Sequence, residues 1–155
     1  MPSSTLPFFE WCEKTWLGTA VRDHVWAFPV IETFHLLALA ILLGSVLLVN
    51  LRAFGVGERF SSFHELAKEL EPWMTISIGV MLLTGIPMML SEPMKCYESS
   101  SFPVKMILLL VAITVHFSIT RKWAAGTNSP SRISAAVSIL LWTTISLAGK
   151  GIPYI

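Results

Sequence analysis

The chain has 155 residues, 54% of them hydrophobic and 14% charged, with a formal net charge of +1 and a mean hydropathy of +0.66. A soluble domain usually carries about 25% charged residues, and a core of this size could not bury every apolar segment present. The near-neutral balance leaves no basic patch for nucleic acid, and two cysteines are too few for a disulfide-rich scaffold.

The start at Met1 lacks the basic region and small-residue cleavage site of a secretory signal, so the N-terminus reads as mature. Residues Phe8 to Trp26 mix aromatic residues with Glu10, Glu13 and Lys14 and predict an interfacial helix. A first membrane span follows from about Ala27 to Asn50, with Glu32 as its one charge. Ser62 to Glu71 reads as a short amphipathic helix with the apolar stripe Phe63, Leu66, Ala67 and Leu70. Ser62 and Glu65 make a capping box at its start. Pro72 then opens a charge-free second span, Trp73 to Ser91, which Pro87 should kink. The third span runs from about Pro103 to Thr120, with Lys105 placed to snorkel near its start, and the fourth from Arg132 to Lys150.

Each span approaches the ~20 residues that cross ~30 Å of hydrocarbon. Lipid offers the backbone no hydrogen bonds, so the spans must be helical. The expectation is an all-α, single-domain integral membrane protein, a four-helix bundle over residues 1–155 with both ends on one side. Trp26, Tyr97 and Tyr154 would mark one interface, and Trp73 and Trp123 the other, with Trp142 alone lying deep. The first and third connections carry Arg52, Arg59, Lys68, Arg121, Lys122 and Arg132; the opposite side carries Lys14, Arg22, Lys95, Lys105 and Lys150. The dense basic charge of the short third connection favours it as cytoplasmic, which puts both termini outside. Cys12 and Cys96 then share one side, as a disulfide or as two free thiols.

Ionisable groups inside a span are costly and mark candidate sites. Glu32 and His35 on the first span are three apart and project from one face, and His116 lies in the third. Small alanines one turn from each histidine leave room for a flat group. Counted from Trp26 and Trp123, the two histidines differ in depth by only ~7 Å. With helix tilt, one iron could take a nitrogen from each, the arrangement that holds a b-type haem. Without tilt, each histidine would serve a separate haem, or only one would be a ligand; the rival readings are a hydrogen-bonded packing role between helices and a site for another metal. Glu32 would accept an imidazole N–H and fix its tautomer. His64 reads as a solvated surface histidine, and as the ligand to test if a second haem exists. His24 could ligate near the outer side. Lys150, Arg121, Lys122 and Arg22 at span ends could meet propionates, although such residues usually anchor spans. Met88, Met89, Met94 and Cys96 form a soft-ligand set suited to Cu(I).

Several stretches together resemble a family of small bacterial four-helix membrane proteins, a domain of unknown function. They are Glu32-Thr-Phe-His35 followed by Leu-Leu-Ala-Leu-Ala, then Leu51-Arg52, Glu71-Pro-Trp73, Lys95-Cys-Tyr97, Phe102-Pro-Val-Lys105-Met106 and Val115-His116-Phe117. The likeness covers roughly Val30 to Gly151, and His24 and His64 fall outside it. That family looks distantly like copper-resistance membrane domains and b-type cytochrome bundles, which implies a multi-pass protein of the bacterial inner membrane.

The functional expectation is a b-type cytochrome carrying electrons within or across the bilayer, with His35 and His116 as axial ligands of haem b and Glu32 and His64 as further cofactor-binding candidates. Bis-histidine ligation leaves iron no open position, which suits electron transfer to or from a quinone or a redox partner protein. No nucleophile–base pair or phosphate loop points to a stand-alone enzyme. The alternatives are a copper-handling membrane protein and a non-catalytic scaffold that pairs with itself through Ala40 and Gly44.

Overall fold

The computed structural model describes residues 5–57, 62–126 and 131–151, with side chains as far as Ala148. Arg59, Tyr154 and the side chain of Lys150 lie outside the described residues. The protein is all-α, 88% helical, with no strand among the described residues. Its helices are α1 (Leu6–Glu13), α2 (Trp16–Asp23), α3 (Ala27–Ala53), α4 (Phe63–Ser91), α5 (Pro93–Glu98), α6 (Ser101–Val115), α7 (Arg121–Ala124) and α8 (Arg132–Gly151), with a π-helical turn at His116–Thr120 joining α6 to α7.

Three helical stretches are long and apolar enough to cross a membrane: Ala27–Ala53, Phe63–Ser91 and Ser101–Ala124. The apolar part of α8, Arg132–Ala148, is shorter. Their outward faces carry Leu83, Leu110, Leu140 and Leu147, each about two-thirds exposed or more, which in water would form an aggregation surface. In hydrocarbon it needs no cover.

The segment expected as one interfacial helix is two. Thr15 adopts extended backbone and its hydroxyl accepts from the Gly18 amide at 3.3 Å, capping α2 and ending the run of α1. Gly18 is required for packing. A Cβ there would overlap the Leu90 carbonyl oxygen and stand 2.9 Å from its carbon, so α2 lies directly on the end of α4.

The short amphipathic helix and the second span are, conversely, one helix. The capping box is present, with the Ser62 amide donating to Glu65 at 2.9 Å and the Glu65 amide to the Ser62 hydroxyl at 3.2 Å. The helix then runs through both Pro72 and Pro87. Pro72 removes the hydrogen bond to the Lys68 carbonyl, but both residues are exposed, so that carbonyl is not stranded in a core.

α3 packs along α4 and α8, α8 packs on α6, and α7 closes back onto α4. The core gathers Ala38, Leu42, Val46 and Val49 of α3 with Ala67, Met74 and Ile78 of α4, Ala112 of α6, Trp123 of α7, and Trp142 and Ile145 of α8. Trp142 is buried, and Trp26 and Trp73 are exposed. Trp123 is 2% exposed and packs edge-on against Phe63 at 5.7 Å, so it is a core residue and not an outward-facing ring.

Candidate functional site: two histidine–threonine pairs on opposite faces of one helix

α3 turns Ala38 and Leu42 inward, and His35 lies one turn earlier on the same side, half-buried against α4. Its Nδ1 is 2.8 Å from the Thr84 hydroxyl. The Thr84 hydroxyl also lies 2.7 Å from the Val80 carbonyl, and the Met81 carbonyl lies beside the ring. With the threonine proton assigned to Val80, its oxygen accepts, Nδ1 carries the hydrogen and Nε2 keeps the lone pair. The ring lies close to the helix backbone, where a Cβ on Gly85 would stand 3.5 Å from Cε1. Lys105 of α6 is within electrostatic reach of His35.

His116 opens the π-helical turn and is 1% exposed. Such turns recur at functional sites because the extra residue re-aims a side chain. Its Nε2 is 3.2 Å from the Thr75 hydroxyl, which donates in turn to a Glu71 carboxylate oxygen at 2.9 Å. With the threonine proton committed to Glu71, Nε2 of His116 is the donor. Arg121 stands 3.7 Å from the same Glu71 oxygen and lies over the Phe117 ring. The chain Arg121, Glu71, Thr75, His116 leads from an exposed guanidinium to a buried imidazole and can hold or pass a proton.

The two imidazoles are not brought together. Thr75 and Thr84 are nine positions apart on α4, which is about 13 Å along the axis and roughly half a turn around it. α4 itself stands between the rings. In this arrangement His35 offers the Nε2 lone pair that an axial ligand needs, while His116 offers no second nitrogen to the same iron. Among the described residues, no three His, Cys, Asp or Glu side chains gather as a metal site would require.

Residues 8–155 match the Family of unknown function (DUF6644). The chain belongs to that family. No curated protein and no solved structure matches it. Membership agrees with the likeness read from the histidine, Glu-Pro-Trp and Lys-Cys-Tyr stretches, and it assigns no activity.

The remaining candidates fall into structural roles. Glu32 is exposed and makes no hydrogen bond to His35; Thr84 takes the acceptor place expected for it. His64 points Nδ1 at the Trp123 carbonyl at 3.1 Å and tethers the start of α4 to the end of α7. Gly126 must be small and left-handed there, since a Cβ would lie 3.1 Å from the His64 ring. His24 ends α2 and, with Arg22 and Glu92, lines an open cleft of about 170 Å³. Arg22 pairs with Glu13 at 3.5 Å. Of the expected soft-ligand set, Met89 and Met94 pack, with Met106, against the cluster of Phe9, Cys96 and Phe102, and Met88 is not among the residues of that cluster. Gly44 has open space where a Cβ would stand, so Ala40 and Gly44 seat no contact within the chain.

Thr75 and Thr84 are the functional residues that the sequence reading passed over. The available signal was their presence in a span without charges, where hydroxyls serve as hydrogen-bond partners between helices.

Proposed function

We propose that this protein crosses the bacterial inner membrane four times, with both termini periplasmic, and carries electrons in the bilayer on a b-type haem held through His35. The observation that carries the reading is the 2.8 Å contact between Nδ1 of His35 and the Thr84 hydroxyl. With the threonine proton assigned to the Val80 carbonyl, Nε2 is left as a lone pair inside a span, the outer-sphere device that orients ligating histidines. The haem, when bound, supplies one-electron chemistry exchanged with a quinone or a partner protein. The chain's own residues do the rest. Thr84 holds the ring in one orientation, and the apolar helices exclude water. His116 is assigned the proton, held through Thr75 and Glu71 on the other face of α4, in place of the second axial bond expected from the sequence.

The copper-handling reading has one observation in its favour, the packing of Met89, Met94 and Met106 against the cluster that holds Cys96. One experiment separates the two. The protein is purified in detergent from haem-replete cells, its metals are counted, and a reduced-minus-oxidised visible spectrum is taken. Soret and α bands that vanish in His35→Ala and persist in His116→Ala support the proposal. Bands lost equally in both folded variants refute the separation of roles, and copper without those bands favours the soft cluster.

A further inference from the structure

α1 touches the rest of the protein through very little. Its buried residues are Phe9 and Cys12, one turn apart on a single face, while Phe8, Glu10 and Trp11 are exposed. That face rests on α5, whose buried residues are Pro93 and Cys96. Phe9 packs against Tyr97 at 5.6 Å and Phe102 at 6.1 Å, and Phe9, Cys96 and Phe102 form one buried cluster. The aromatic cluster surrounds Cys96, and Cys12 is buried on the same face of α1 as Phe9, so each of the two packed helices buries one thiol, 1% and 7% exposed.

We propose that Cys12 and Cys96 form a thiol–disulfide couple that clamps α1 onto α5, with the disulfide of a dithiol oxidase as the oxidant. One thiolate attacks the oxidase disulfide and gives a mixed disulfide. The second thiolate then attacks the sulfur of the first, the Cys12–Cys96 bond forms, and the oxidase leaves as its dithiol. Two protons and two electrons leave this chain, and the electrons reduce the oxidase.

Three features fit this chemistry. The two thiols are close enough to act on each other electrostatically, and burial pushes both above the ordinary range, Cys96 to about 11. Thiols so protected react slowly with small oxidants and await an opening. An eight-residue helix with two buried side chains and an exposed Arg22–Glu13 tie at its end supplies that opening at low cost, because short and sparsely packed elements open first. Closure by a covalent bond across residues 12 to 96 would then fix an otherwise weakly held cap. The cap lies beside the α6 end of the structure, where Lys105 is within electrostatic reach of both Cys96 and His35.

Membranes carrying the full-length protein are quenched in acid, denatured in detergent and treated with a polyethylene-glycol maleimide, with or without prior phosphine reduction. The wild type should gain no maleimide before reduction and two after it. Cys12→Ser and Cys96→Ser should each gain one without reduction. A wild type that takes two maleimides unreduced in most molecules overturns the proposal. So does a reductant-sensitive dimer, which would place the bond between chains. The assay needs no bound haem, so its outcome is independent of the His35 reading, and a disulfide found here would also remove Cys96 as a copper ligand.

Discussion

Replacing Thr84 with valine keeps the shape of the side chain and removes the oxygen that receives the His35 N–H at 2.8 Å. The bond to the Val80 carbonyl is lost too, but that carbonyl retains its place in the α4 ladder, so the principal change falls on the imidazole. A hydrogen bond between membrane helices contributes about 0.6 kcal/mol on average and at most about 1.7, so helix packing should weaken only slightly. Removal of an outer-sphere partner of a ligating histidine typically costs ~10- to 100-fold in affinity, equivalent to about 1.4–2.7 kcal/mol. Haem affinity should therefore fall by more than fold stability does. The measurement is a haem titration of apo-protein in nanodiscs, paired with a thermal melt of the same samples. Thr84→Ser, which restores a hydroxyl, should recover most of the affinity. Thr75→Val serves as the control, since Thr75 lies on the far face of α4 about 13 Å away. Its haem affinity should match the wild type. If Thr84→Val binds haem within twofold of wild type, or if Thr75→Val loses as much, the assignment of His35 as the ligand is wrong.

Two further outcomes follow from the packing and the thiols. Gly18→Ala should destabilise the protein by roughly 1–3 kcal/mol, the usual cost of overpacking, because the new Cβ overlaps the Leu90 carbonyl. Helix propensity alone predicts the opposite, a gain of up to about 1 kcal/mol, so a lowered melting temperature identifies the contact and a raised one refutes it. In Cys12→Ser protein, burial holds the Cys96 thiol up to about 11. Only the thiolate is alkylated, so the reaction rate should climb about tenfold per pH unit from pH 8 to 10, whereas an ordinary thiol near 8.5 levels off above about pH 9. A plateau at pH 9 would show that the thiol is not desolvated.

Three of the four expected spans were readable because hydropathy and length carry them, while the described apolar part of the fourth, Arg132–Ala148, is shorter; the capping box at Ser62 was readable because its two partners are three residues apart. Pro72 misled for a local reason. Proline at a first turn and proline within a long helix look alike in sequence, and what distinguishes them is the fate of the Lys68 carbonyl. Both residues being exposed near the start of α4, that carbonyl can be solvated, and the helix continues from Phe63 to Ser91. Thr15 misled in the other direction. A hydroxyl next to Lys14 gave no periodicity signal, yet its bond to the Gly18 amide divides one expected helix into two.

The threonine partners of the two histidines were not legible from a count along one helix. Depth for His116 was measured from Trp123 as an interface marker, but Trp123 is buried against Phe63 and the helix runs on to Ala124. The π-helical turn at His116–Thr120 also departs from the 3.6-residue register that a count along the third span assumes. Above all, periodicity says which face a residue occupies and not which helix that face meets. His35 and His116 each turn toward α4, as two intramembrane imidazoles seeking acceptors should, and α4 answers with a threonine on each side. Residues nine apart on a helix point in opposite directions, so the spacing of Thr75 and Thr84 already implied two separate polar contacts. A single cofactor between the histidines would require α4 to be elsewhere.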